Sequence, residues 1–163
     1  MKARNIIVVA AALLLAVACK KSDDNYPNSI YLVGVHWCID STPGYYTFGK
    51  AQAKAEELSK RLPTKEEFEA LCKLPQVWDN NLKGRWFAER TEDLGNHDKS
   101  LFFPAAGCTN YNDILDDQGS FGRYWSGTQV DIYDGYALLF DSTYSYQGGF
   151  PRAYGLSIRC VYK

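Results

Sequence analysis

The chain has only two histidines, His36 and His97, and no Cys-x-x-Cys pair. A zinc site is therefore not expected. Charge of one sign is also missing: 18 Lys and Arg face 19 Asp and Glu. No basic patch forms of the kind that nucleic acid requires, so no nucleic-acid partner is expected. The longest apolar run, Ile6 to Ala18, has thirteen residues, whereas a membrane-spanning helix needs about 20. There is no long internal repeat and no low-complexity segment. Neither histidine has an evident Ser or Cys partner, which speaks against an enzyme, and no cofactor is implied.

What is present begins with an export signal. Lys2 and Arg4 precede the apolar run, which ends in Ala16-Val17-Ala18-Cys19, the layout of a signal peptide over residues 1–18. Small residues before a Cys resemble a bacterial lipobox, with Cys19 as the lipidated first residue of the mature protein. Lipid chains on Cys19 anchor a protein to a membrane without a transmembrane helix. Residues 19–29 are polar, charged and aperiodic, and read as a flexible tether. Acidic residues just after the anchor, Asp23 and Asp24, resemble the surface-export signal of Bacteroidetes lipoproteins. The expectation is an outer-membrane lipoprotein exposed at the cell surface. Removing residues 1–18 leaves sixteen basic against nineteen acidic side chains, a net charge of −3.

Residues 30–163 are the size of one domain. Apart from Cys19 there are four cysteines, Cys38, Cys72, Cys108 and Cys160. An even number in an exported domain favours disulfides, and four cysteines allow three pairings.

Hydrophobic periodicity predicts two helices followed by strands. Phe48, Ala51, Ala55, Leu58 and Leu62 recur at three- and four-residue steps over Thr47 to Arg61. Thr64-Lys65-Glu66-Glu67 has the form of a capping box opening a second helix, with Phe68, Leu71 and Cys72 inward and Pro75 as its limit. Strands are expected at Ile30–Val35, Arg85–Ala88, Ser100–Ala105, Tyr124–Thr128, Tyr136–Phe140 and Leu156–Tyr162. Pro104 marks one of these as an edge or a bulge, and Ser41-Thr42-Pro43-Gly44 reads as a turn. The class is α+β. Trp37, Trp78, Trp86, Trp125, Leu138, Phe140, Leu156 and Ile158 are assigned to the core. Arg159, beside Cys160, is expected to be partly buried and bonded to carbonyls or a carboxylate.

Between these strand cores, Gln129 to Tyr154 is crowded with Tyr, Asp, Ser and Gly. Tyr offers large contact area with few rotors to freeze and a hydroxyl for hydrogen bonding. The contact residues proposed from this pattern are Asp131, Tyr133, Asp134, Tyr136, Asp141, Tyr144, Tyr146, Arg152 and Tyr154.

Four pieces occur in order: Arg61-Leu62-Pro63-Thr64-Lys65-Glu66-Glu67-Phe68, Phe103-Pro104-Ala105-Ala106-Gly107, Gly122-Arg123-Tyr124-Trp125-Ser126-Gly127-Thr128, and Gly155-Leu156-Ser157-Ile158-Arg159-Cys160-Val161. Together they resemble the Fibrobacter succinogenes major paralogous domain of Bacteroidetes lipoproteins. The resemblance implies a C-type lectin-like fold: two helices on short antiparallel sheets, with N- and C-terminal strands paired. The chain departs from that fold in having no Cys in its first helix. The resemblance therefore implies Cys72 as the partner of Cys160, leaving Cys38 with Cys108. The ending also resembles the variable proteins of diversity-generating retroelements. Sugar-binding C-type lectins carry calcium tripeptides that this chain lacks, so Asn112-Asp113 and Asp116-Asp117 are read as solvated loop residues, with no metal. The active-site motif of the similar formylglycine-generating enzymes is absent too. The implied function is non-covalent binding of an extracellular protein or glycan. The alternatives are a structural or adhesive part of an envelope or fimbrial assembly, and a degenerate relative of the formylglycine-generating enzymes.

Overall fold

The computed structural model describes residues 25–163. The signal segment, Cys19 and the tether up to residue 24 lie outside the described residues. The rest is mixed, with twelve strands and two helices in several sheets, in agreement with the α+β expectation. Among the described residues no helix is long and apolar enough to cross a membrane.

The chain opens as a hairpin, β1 (Ser29–Leu32) against β2 (Val35–Cys38). One strand was expected over Ile30–Val35. The turn arises because Val33 and Gly34 both take positive φ, 48° and 85°. Part of the expected tether is folded as well, since Tyr26 stacks on His36 with ring centroids 4.0 Å apart. The expected turn at Pro43-Gly44 is instead strand β3 (Thr42–Tyr46). It pairs with β12 (Leu156–Ile158) alone and forms a sheet edge, where the missing N–H of Pro43 is tolerated.

Helix α1 (Phe48–Glu57) buries Phe48, Ala51 and Ala55. It stops earlier than its periodicity predicts, because the chain turns over at Ser59 with φ 56°. Helix α2 (Lys65–Cys72) starts at the expected capping box. The Glu67 N–H donates to Thr64 Oγ1 at 3.2 Å, and the Thr64 N–H to Glu67 Oε2 at 2.7 Å.

Two sheets carry the core. The smaller runs β4 (Gln76–Asp79), β5 (Gly84–Ala88), β6 (Ser100–Pro104), with β6 at the edge as Pro104 requires. The larger has the order β11 (Ser145–Pro151), β10 (Asp134–Phe140), β9 (Gly122–Gln129), β12, β3. A short hairpin, β7 (Cys108–Thr109) with β8 (Leu115–Asp116), lies beside it.

Strand alternation splits the larger sheet between two cores. Tyr124, Leu138 and Phe140 join Phe68 and Leu71 of α2, Phe87 and Phe103 of the smaller sheet, and Trp37. On the other face Trp125, Ala137, Leu139, Leu156 and Ile158 pack with Phe48, Ala51 and Ala55 of α1. The expected core residues are buried, except that Trp78 is half-buried at the margin. The first hairpin meets the last residues of the chain at the antiparallel bridge Trp37↔Val161.

The expected disulfide pairings are not formed. All four cysteines are free thiols. Cys72 ends α2 in the first core cluster, where Ser145 and Arg85 act on its thiol. Cys160 belongs to the other cluster, beside Cys38. The intervening sheet separates the two, and Cys108 lies by Arg123 and Asp117 rather than by Cys38.

Candidate functional site

The outer end of the five-stranded sheet holds a groove of ≈ 390 Å³. Its floor follows from register. Arg123 on β9 and Tyr146 on β11 are both paired with Leu139 on β10. Directly paired residues of antiparallel strands share a face, so the three side chains form one row. It is the face that α1 covers further along, but α1 does not reach this end. Phe121, Tyr144 and Phe150 complete the walls.

The rings are graded in burial. Phe150 packs edge-on to Trp125 and Tyr154, with centroids at 6.3 and 5.4 Å, so one side of the groove is continuous with the core. Tyr146 is 47% exposed and Tyr144 55%. Their rings lie 5.7 Å apart and tilted by 30°, which leaves ring surface and hydroxyls to solvent.

Arg123 is the one cation on this floor. Its Nη2 donates to Asp117 Oδ2 at 2.6 Å, and its guanidinium lies 5.0 Å from the Phe121 centroid and 5.6 Å from that of Phe150. Planar guanidinium against an aromatic ring is a favourable contact. Nη1 is buried, out of contact with solvent. The Cys108 thiol lies nearby, where burial pushes its pKa up and the Arg123 charge opposes this. The groove thus offers ring faces, phenolic hydroxyls and a positive charge. That set suits a sugar ring or a planar side chain carrying an acceptor.

Asp141, Tyr144 and Tyr146 are the contact residues expected from sequence that line the groove. The Asp141 carboxylate is occupied at one oxygen. Its Oδ1 accepts from the Thr143 N–H at 2.7 Å, the Thr143 hydroxyl at 2.6 Å and the Tyr144 N–H at 3.1 Å. These bonds, that of the Thr143 hydroxyl foremost, hold its pKa below the usual carboxylate range. Through Oδ1, Asp141 shapes the turn that presents Tyr144.

The remaining expected contacts sit elsewhere. Asp131 caps the β9–β10 turn, with Oδ1 accepting from the N–H groups of Tyr133 and Asp134 at 2.7 and 2.8 Å. Arg152 lies over the Phe48 ring at 4.7 Å, and its N–H bonds Tyr133 O at 2.9 Å. Tyr133 is 74% exposed at that turn, outside the groove. Asp134 opens β10, and Tyr136 points to the α2 face, with Lys65 Nζ 4.7 Å above its ring. Tyr154 touches the groove only through Phe150, and its other ring neighbour is Tyr111. Sequence reasoning missed Phe121, Arg123 and Phe150. Alternation along Gly122-Arg123-Tyr124-Trp125 puts Arg123 on the Trp125 face, but only the β9–β10–β11 register brings it level with Tyr146.

Neither histidine is free. His36 lies between Tyr26 and Tyr31, with Nδ1 3.2 Å from Ser29 Oγ, and His97 packs edge-on to Trp86. Among the described residues no three His, Cys, Asp or Glu side chains gather as a metal site.

Fold and groove together define an α+β domain with an aromatic recess at one end of its main sheet. Residues 78–161 match the family described as Domain of unknown function (DUF8237), and the chain belongs to that family. The match runs from β4 to the end of the larger sheet and contains every groove residue, but neither helix. No curated protein and no solved structure matches the chain.

Proposed function

We propose that the protein is a surface-tethered lipoprotein whose single domain binds an extracellular protein or glycan without chemistry. In this reading Cys19 carries the lipid and the groove at Tyr144, Tyr146, Phe121, Phe150 and Arg123 takes the ligand. The observation that carries it is the row Arg123–Leu139–Tyr146, which puts a cation beside two exposed tyrosine rings. The domain is C-type lectin-like, of the Fibrobacter succinogenes major paralogous kind. Support comes from two helices preceding most of the strands, and from the first hairpin joined to the chain's last residues at Trp37↔Val161.

A glycan array and a cell-surface pull-down test the reading. Three proteins are compared: the wild type, the Tyr144→Ala/Tyr146→Ala double variant, and Tyr133→Ala as a surface control outside the groove. Capture by wild type and Tyr133→Ala, with at least a tenfold loss for the double variant, is the expected result. Equal capture by all three would overturn the groove. Cell fractionation with a Cys19→Ala variant tests the anchor, which predicts release from the membrane fraction.

A further inference from the structure

The bridge Trp37↔Val161 is flanked by two bonds, Cys38 N–H to Cys160 O and Tyr162 N–H to His36 O, both 3.0 Å. That pattern sets residues 38 and 160 directly opposite on neighbouring antiparallel strands. Opposed residues share a face. The burial agrees, since Trp37 and Val161 point into one core cluster and Cys38 and Cys160 into the other. We infer that Cys38 and Cys160 form a disulfide when the protein meets an oxidising compartment.

One backbone bond of that pair is made, Cys38 N–H to Cys160 O, while the Cys38 carbonyl accepts from Arg159 Nη1. Opposed residues of antiparallel strands have Cα atoms about 4.5–5.5 Å apart, within the range that disulfides span. No cysteine is among the groups that act on the Cys72 or the Cys108 thiol, whereas Cys38 acts on that of Cys160. Access is asymmetric, with Cys38 half-buried and Cys160 buried. Burial raises both thiol pKa values, but at Cys38 the charges of Lys60 and Arg159 oppose the rise most directly. Cys38 is therefore the first to react.

The oxidant required is a disulfide, either in an oxidised thiol–disulfide oxidoreductase or in a small molecule such as oxidised glutathione. The Cys38 thiolate attacks one sulfur of that bond, forming a mixed disulfide and expelling one thiolate. The Cys160 thiolate then attacks Cys38 Sγ, forms the intramolecular bond and expels the second. Two electrons and two protons leave the protein, and the oxidant ends as two thiols. The bond joins the first hairpin, next to the tether, to the end of the chain. A pull on the tether would then load a covalent link rather than a two-bond ladder.

The test is a non-reducing peptide map of the mature chain, reduced, re-oxidised with oxidised glutathione, and alkylated. The expected result is a mass loss of two hydrogens, one linked peptide pair through Cys38 and Cys160, and alkylated Cys72 and Cys108. A link through Cys72 or Cys108, or alkylation of all four, overturns the inference. Reductant should lower the wild-type Tm by about 10 °C. Cys72→Ser should keep that response, whereas Cys38→Ser and Cys160→Ser should lose it. If either Ser variant fails to fold, the wild-type map still decides.

Discussion

Arg159 donates through Nη2 to the backbone carbonyl of Phe102, which ties the chain just beyond β12 to the edge strand of the smaller sheet. Its Nη1 donates to the carbonyls of Cys38, at 3.0 Å, and Ile39. The guanidinium also lies over the Phe103 ring at 4.8 Å. Burial lowers the pKa of this group, yet an Arg stays protonated across the usual range. One side chain therefore satisfies three carbonyls from two separate segments.

Arg159→Met should remove those donors while keeping the bulk, at a cost of about 3 kcal/mol or more for carbonyls left unpaired. Arg159→Lys should not rescue the loss, since an ammonium cannot reproduce the planar fork. Urea unfolding midpoints measure both. A Lys variant as stable as wild type would show that charge, not fork geometry, is what the site needs.

Glu67 makes the second helix start sensitive to acid. Burial would raise its pKa. The Arg61 hydrogen bonds, at 2.8 and 2.6 Å, and the Thr64 N–H outweigh this and leave it lowered. A depressed carboxylate contributes stability that is present above its unfolded pKa of about 4.3 and is lost as pH falls through the folded value. Wild-type stability should therefore decline below about pH 4.3. Glu67→Gln should cost about 2 kcal/mol at neutral pH and flatten the acid limb. Chemical denaturation at pH 7 and pH 3 reads both effects.

The capping box was legible because it is local. Thr64 and Glu67 are three residues apart, and their bonds need nothing from the rest of the fold. The core was legible for a related reason: Trp125, Leu138, Phe140, Leu156 and Ile158 announce burial by their chemistry. Strand β11 was not. Its sequence Ser145-Tyr-Gln-Gly-Gly-Phe-Pro151 has little β propensity, and it is a strand because seven of its residues pair with β10. Reading the segment between Phe140 and Leu156 as a loop therefore hid the row that aligns Tyr146 with Arg123. The closeness of Cys38 and Cys160 was hidden in the same way, since the backbone bond joining residues 38 and 160 spans nearly the whole domain.

Gly135 supports a steric prediction that needs no ligand. A Cβ there would penetrate the Phe48 ring, which packs edge-on to Trp125 at 5.3 Å. Gly135→Ala should cost about 1–3 kcal/mol by overpacking. Phe48→Leu also destabilises alone, but it opens space beside residue 135. The double variant should then be less unstable than the sum of the singles, with a coupling of about 1 kcal/mol. Additive values would mean that Phe48 is not what excludes the methyl group.

The groove rings should divide by burial. Tyr144 and Tyr146 are exposed and touch mainly each other, so Tyr144→Ala and Tyr146→Ala should each change stability by about 0.5 kcal/mol or less. Phe150 packs on Trp125 and Tyr154, so Phe150→Ala should cost about 3 kcal/mol as a cavity opens against the core. Arg123→Gln separates charge from shape, because it keeps a donor in the groove and removes the cation. If the ligand carries an anionic group, its capture by wild type should weaken as salt rises, and Arg123→Gln should remove that salt dependence. Measuring Tm and capture on the same preparations distinguishes the two kinds of residue. Loss of capture at the tyrosines without loss of Tm assigns them to the ligand, whereas matched losses would make them part of the scaffold.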